Sequence, residues 1–129
     1  MSDRQLVSSG SYLEPIIGFS RAVRVGRIIA IGGTAPIAAG GGTAARGDVY
    51  GQARRCFEII GKALAEAGAG FEHVTRTRVM LTDIGLWNEA SKAHAEIFKD
   101  VRPVTTVVAV SAFVDPDWLI EIEVDAVAD

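Results

Sequence analysis

The chain has 129 residues, nearly half of them apolar, and a formal net charge of −3. That length predicts a single domain over residues 1–129, with enough apolar material to rule out a disordered chain. The acidic balance argues against steering to nucleic acid or an anionic membrane, and one cysteine excludes an internal disulfide.

In chain order, Gln5 to Ser8 predicts a short edge strand. Tyr12–Ser20 is broken by Pro15 and Gly18 and reads as a loop. Arg21–Val25 and Arg27–Ile31 predict a hairpin turned at Gly26. Its second arm looks apolar on both faces, as a central strand would. Ile37–Gly47 contains Gly40-Gly41-Gly42 and reads as a mobile loop; it lacks the Gly-Lys-Ser/Thr that a phosphate cradle needs. Asp48 then caps a helix. Val49, Ala53, Cys56, Ile60, Ala63 or Leu64, and Ala67 repeat at helical spacing, Gln52 falls off that stripe, and Gly68 ends the element. Cys56 lies on the stripe, where burial explains it without chemistry.

His73–Leu81 predicts a strand with Thr75, Thr77, Val79 and Leu81 on one face and Val74, Arg76, Arg78 and Met80 on the other. Asp83 caps a second helix, Ile84–Lys99, with Trp87, Ala90, His94 and Ile97 or Phe98 on one side. His94 has no nearby acid or thiol and reads as a packed residue. Arg102 to Ala126 carries two further strands, taken as a central pair. Val104–Val110 is rich in β-branched residues, and Leu119–Ala126 alternates Ile120, Ile122, Val124 and Ala126 against Glu121, Glu123 and Asp125.

Two helices for one mixed sheet of five or six strands is an α+β pattern in which the helices cover one face. Strands apolar on both sides leave the other face in need of cover, which identical copies in a closed homo-oligomer would supply. Three carboxylates on one face must be wet or paired. Arg76 and Arg78 alternate in the same way and can pair Glu123 and Asp125. Glu121 sits at the turn end, where a site can open.

These stretches together resemble the RidA family of reactive-intermediate deaminases, also called the YjgF or L-PSP endoribonuclease family. The landmarks are Gly18-Phe19-Ser20-Arg21-Ala22-Val23, Ile31-Gly32-Gly33-Thr34, Gln52-Ala53-Arg54, Ala67-Gly68-Ala69, Val74-Thr75-Arg76-Thr77, Thr82-Asp83, Phe98, Arg102-Pro103-Val104-Thr105-Thr106-Val107 and Ile120-Glu121-Ile122-Glu123-Val124-Asp125-Ala126. The resemblance implies a chorismate-mutase-like α+β fold and a homotrimer whose sheets form a barrel, with sites between subunits; the lack of a signal-peptide core in Met1–Gln5 and of a membrane-length apolar run makes a soluble cytoplasmic protein the default expectation. It implies hydrolysis of enamines and imines to ketone and ammonia with no metal or organic cofactor. By position, Glu121 is the acid that holds water, Gly33 offers a backbone group, Phe19 stands where many members have Tyr, and Thr106 supplies a hydroxyl. Thr34 follows Gly33 on the same wall. Thr105 stands where typical members have the Arg that binds the substrate carboxylate, so an atypical substrate is expected. Arg21 could supply a charge to the cleft, although a surface position on the hairpin is the plainer expectation. Two other readings compete: a trimeric ligand-binding or regulatory protein without turnover, and an endoribonuclease or translation inhibitor, which the acidic balance disfavours.

Overall fold

The computed structural model describes residues 4–129. Six strands form one sheet: β1 (Arg4–Val7), β2 (Ala22–Val25), β3 (Ile28–Thr34), β4 (Val74–Leu81), β5 (Val104–Ala109) and β6 (Ile120–Val127). Two long helices, α1 (Val49–Glu66) and α2 (Trp87–Phe98), cross over between β3 and β4 and between β4 and β5. The strand order is β1-β2-β3-β6-β4-β5. β4 and β5 are parallel, as the intervening helix requires, and every other pairing is antiparallel.

β6 therefore lies at the centre of the sheet and β5 at its edge. The expected central pairing of the last two strands does not form. β6 instead pairs with β3 and β4, and β5 reaches only β4. The alternation of β6 explains its place: Ile120, Ile122, Val124 and Ala126 are buried against the helices. Ile29 and Ile31 of β3, Val79 and Leu81 of β4, and Val49, Ala53, Cys56, Phe57, Ile60, Ala63 and Leu64 of α1 complete the core. Fully burying side chains such as Ile60 or Leu64 contributes roughly 1.5–3 kcal/mol each.

Asp48 caps α1 by accepting from the Gly51 amide, and Gly68 follows the helix with φ +81°. Gln52 is not off the stripe but fully buried. Its side chain donates to the Asp117 carbonyl and accepts from the Leu119 amide, clamping α1 to the entry of β6. At β4 the expected facing of Val74 and Thr75 is reversed. A register shift between Val74 and Arg76 turns Val74 inward and leaves Thr75 exposed. Asp83 caps a short turn, Ile84–Leu86, rather than the long helix. α2 begins only at Trp87, and Trp87 is exposed, not on the packed face. Within the segment read as a loop, Glu14–Gly18 forms one wide helical turn closed by the Phe19 amide on the Glu14 carbonyl. The glycine-rich segment is tied down: Ile37 bridges to Thr43, and Arg55 donates to the Ile37 carbonyl.

The face away from the helices is mixed. Its rims are apolar, with Ile28 66%, Val104 58% and Val108 42% exposed. Its middle is ionic: Arg78 meets Glu123 at 3.0 Å and Asp125 at 3.8 Å, and Arg76 meets Asp125 at 3.6 Å. No helix among the described residues is long and apolar enough to cross a membrane.

Candidate active site

The site is built where the regular ladder between β3 and β6 breaks. Ile31 pairs with Val124 and Thr34 with Ile122, so Gly32 and Gly33 together oppose a single residue of β6. A bulge of this kind bends its strand and re-aims what lies beside it. Here it brings the Gly33 backbone against the Glu121 side chain. A Cβ added at Gly33 would stand 2.7 Å from Glu121 Oε1. A side chain here would force the Glu121 carboxylate to shift from this position.

Above the bulge lies a cavity of about 340 Å³. Glu121 and Arg21 supply its charge, Gly32 and Gly33 its backbone, and Leu13, Ile17, Phe19, Val114 and Trp118 most of its apolar wall. Such a composition, apolar walls with a few convergent polar groups, is that of a small-molecule site. Burial pushes the Glu121 carboxyl above the ordinary carboxylate range; the charge of Arg21 pulls it back down and that of Glu123 adds to the rise. A carboxylate so placed is more basic than a surface one and is suited to taking a proton from water.

Arg21 is not a surface residue. It is 4% exposed and lies 5.2 Å from the Phe19 ring centre. Its Nη1 donates to the carbonyls of Gly33 (2.7 Å) and Gly32 (3.3 Å) and to Thr34 Oγ1 (3.2 Å). Its Nε donates to Ser9 Oγ, which in turn donates to Glu14 Oε2. Burial disfavours the Glu14 charge, but the Ser8 and Ser9 hydroxyls and the Ser9 and Ser11 amides outweigh it, holding the carboxyl below its ordinary value. On the far side of Arg21 is a second cavity of about 200 Å³, lined in part by Ser9, Thr34 and Arg55. Cys56 lies beneath, fully buried, and desolvation pushes its thiol well above the range in which it ionises.

Phe19, Arg21, Gly33 and Glu121 thus meet in one cavity, and Thr34 backs it through Arg21. Thr105 and Thr106 do not join them within the chain. Both are on the edge strand β5, with β4 between them and β6. Thr105 turns toward the helices. Its hydroxyl bonds Thr77 Oγ1 at 2.8 Å, and Thr77 bonds His94 Nε2 at 2.8 Å. His94 packs between Phe57 and Phe98, and its desolvation disfavours the charged ring. Thr106 pairs with Arg78. Of the two backbone groups Gly33 could offer a ligand, amide or carbonyl, the carbonyl accepts from Arg21. Leu13, Ile17, Val114 and Trp118 were not anticipated. Trp118, two residues before the acid-bearing strand, was the one legible hint among them. Among the described residues no group of three or more His, Cys, Asp or Glu could hold a metal.

Comparison with known proteins places this architecture. The family model for endoribonuclease L-PSP matches residues 9–128. An uncharacterised protein of Streptomyces coelicolor is 40% identical over 120 residues, covering 93% of this chain and 89% of its own. The human 2-iminobutanoate/2-iminopropanoate deaminase is 30% identical over 125 residues, covering 97% and 89%. A crystal structure of a YjgF-family protein from Mycobacterium tuberculosis superposes with a TM-score of 0.88 at 40% identity, covering 98% of this chain and all of that one.

Proposed function

The chain belongs to the RidA family, known also as YjgF or endoribonuclease L-PSP, and from that premise we propose that it hydrolyses reactive imines to ketone and ammonia in the cavity over Glu121. The carrying observation is the juxtaposition of the Glu121 carboxylate with the Gly32–Gly33 bulge inside an apolar cavity. A protonated imine carbon is already electrophilic, so positioning and one proton transfer meet most of the catalytic need. A water held by Glu121 attacks that carbon; the C–O bond forms as the C=N π pair moves onto nitrogen, and Glu121 accepts the proton. That proton passes from Glu121 to the nitrogen; an oxygen lone pair then closes the C=O bond as the C–N bond breaks to release ammonia, and Glu121 takes up the remaining hydroxyl proton, which leaves the ketone neutral. An enamine enters the same route after protonation on carbon.

The substrate differs from an amino-acid-derived imine with a free carboxylate. Thr105 carries no charge and its hydroxyl is spent on Thr77. Loss of a bidentate Arg contact costs on the order of 2–4 kcal/mol of binding for such a carboxylate. The apolar walls of Leu13, Ile17, Phe19 and Trp118 instead suit an imine with an uncharged, hydrophobic substituent. The protein works as a homotrimer in this reading. The exposed Ile28, Val104 and Val108 would be covered by neighbouring copies, and each cleft would be completed by another copy's edge strand.

The test is release of ammonia and ketone from a panel of freshly generated imines, with and without a carboxylate. Turnover of the uncharged members by wild type, lost in Glu121→Ala, is the expected result. Ligand-dependent thermal shifts with no turnover would assign the cavity to a binding protein instead.

A further inference from the structure

We propose that Arg21 is a positioning residue of this site, its Nη1 holding the bulge beside the Glu121 carboxylate while its Nε ties the group to Ser9. The assignment rests on the deaminase reading for its consequence, but its geometry stands alone. Arg21 bonds the carbonyls of Gly32 and Gly33 and the hydroxyl of Thr34, and Thr34 Oγ1 itself donates to the Gly32 carbonyl. Three successive residues at the irregular end of β3 are therefore pinned from one side by one rigid, planar group. A Cβ placed on Gly33 would meet Glu121 Oε1, so the bulge and the carboxylate lie side by side. The bulge has little ladder support of its own, since the register slips across it. Removing this hold frees the Gly33 carbonyl of its donor and lets the bulge beside the carboxylate move.

The same geometry argues against a bidentate grip on a substrate carboxylate, the more obvious role. A carboxylate ligand grips Arg bidentately through Nε with Nη2, or through the two Nη groups. Here Nε is bound to Ser9, and Nη1 is shared among Gly32, Gly33 and Thr34. Each gripping edge has one member engaged. Arg21 is built into the wall rather than offered to a ligand.

The buried charge is kept in place by Glu14, reached through Ser9. It acts in turn on Glu121. The titratable and charged groups facing Glu121 are Arg21 on the β2 side, Glu123 on β6 and Cys56 on α1; Glu123 is itself paired with Arg78. Of these, Arg21 draws the carboxyl downward and Glu123 pushes it up. Arg21 thus bears on both the place and the ionisation of the acid, limiting the rise that burial imposes.

The experiment uses the full chain as wild type, Arg21→Gln and Arg21→Lys. Carboxyl 13C NMR follows the Glu121 titration without substrate, and imine turnover is read as kcat, KM and pH profile. Arg21→Gln is expected to raise the Glu121 midpoint by about one pH unit, moving the acid limb of kcat with it. Arg21→Lys keeps the charge and loses the fork. It should leave the midpoint near that of wild type, shift the Gly32 and Gly33 amide signals, and lower kcat about tenfold with KM little changed. An unmoved midpoint in Arg21→Gln, with unchanged kcat in Arg21→Lys, would overturn the assignment. If Arg21→Gln does not fold, Arg21→Lys decides alone: unmoved Gly32 and Gly33 signals with full kcat overturn it. Absence of turnover in wild type would instead sink the deaminase reading, while the NMR arms still judge Arg21.

Discussion

Glu121 and the Glu123–Asp125 pair share one strand, one face and nearly one chemistry, yet they live in different worlds. Glu123 and Asp125 lie opposite Arg78 and Arg76 on β4 and form partly exposed ion pairs at 3.0–3.8 Å. Glu121 lies opposite Met80, beside a bulge and beneath an apolar cavity, and its carboxyl is raised rather than neutralised. What separates them is the partner strand two residues further along. Alternation places a side chain on a face; the cross-strand neighbour decides whether it is a surface charge or a reactive one.

Four measurements would break or sharpen this contrast. The largest effect is expected from Glu121→Ala, which should lower imine turnover by about 10²- to 10⁴-fold while the protein stays folded. Gly33→Ala pushes a methyl to within 2.7 Å of Glu121 Oε1. Turnover should fall by up to about 10²-fold, with far less change in Tm. Glu121→Gln should remove turnover and stabilise the fold. Because the folded carboxyl is raised above its unfolded value of 4.5, holding it ionised costs stability at neutral pH, and that cost fades as pH falls through the folded midpoint toward the unfolded value. At pH 7–8 a Tm higher by roughly 2–5 °C is expected, shrinking toward zero near pH 4. Smallest is Glu123→Gln. Its partly exposed bridge to Arg78 should be worth under about 1 kcal/mol, with turnover unchanged. If Glu123→Gln and Glu121→Gln were to give the same thermal profile, the distinction between the two ends of the strand would be lost.

Much of this was readable in the chain itself. The six strands, both helices, the Asp48 cap and the pairing of Glu123 and Asp125 with arginines follow from period and charge pattern. Sheet order was not readable, because β-branched composition marks Val104–Ala109 as a strand without saying that it sits at the edge beside β4. The role of Arg21 was hidden for a related reason. A hairpin arginine looks like a surface residue until the acceptors that hold it, three carbonyl or hydroxyl groups eleven to thirteen residues away and Ser9 twelve residues back, are brought in by the fold. Gln52 was misplaced likewise, since its partners Asp117 and Leu119 lie 65 and 67 residues on. Thr105 could be recognised as uncharged, but its orientation toward Thr77 and His94 depends on the parallel register of β4 and β5.

Cys56, the chain's single cysteine, sits sealed beneath Arg21 and Glu121 with its thiol held protonated. Thiol-directed reagents at neutral pH therefore find nothing to modify until α1 lifts from the sheet. The rate at which such a reagent labels the native protein becomes a direct clock for that opening, supplied by the natural sequence without any engineered probe.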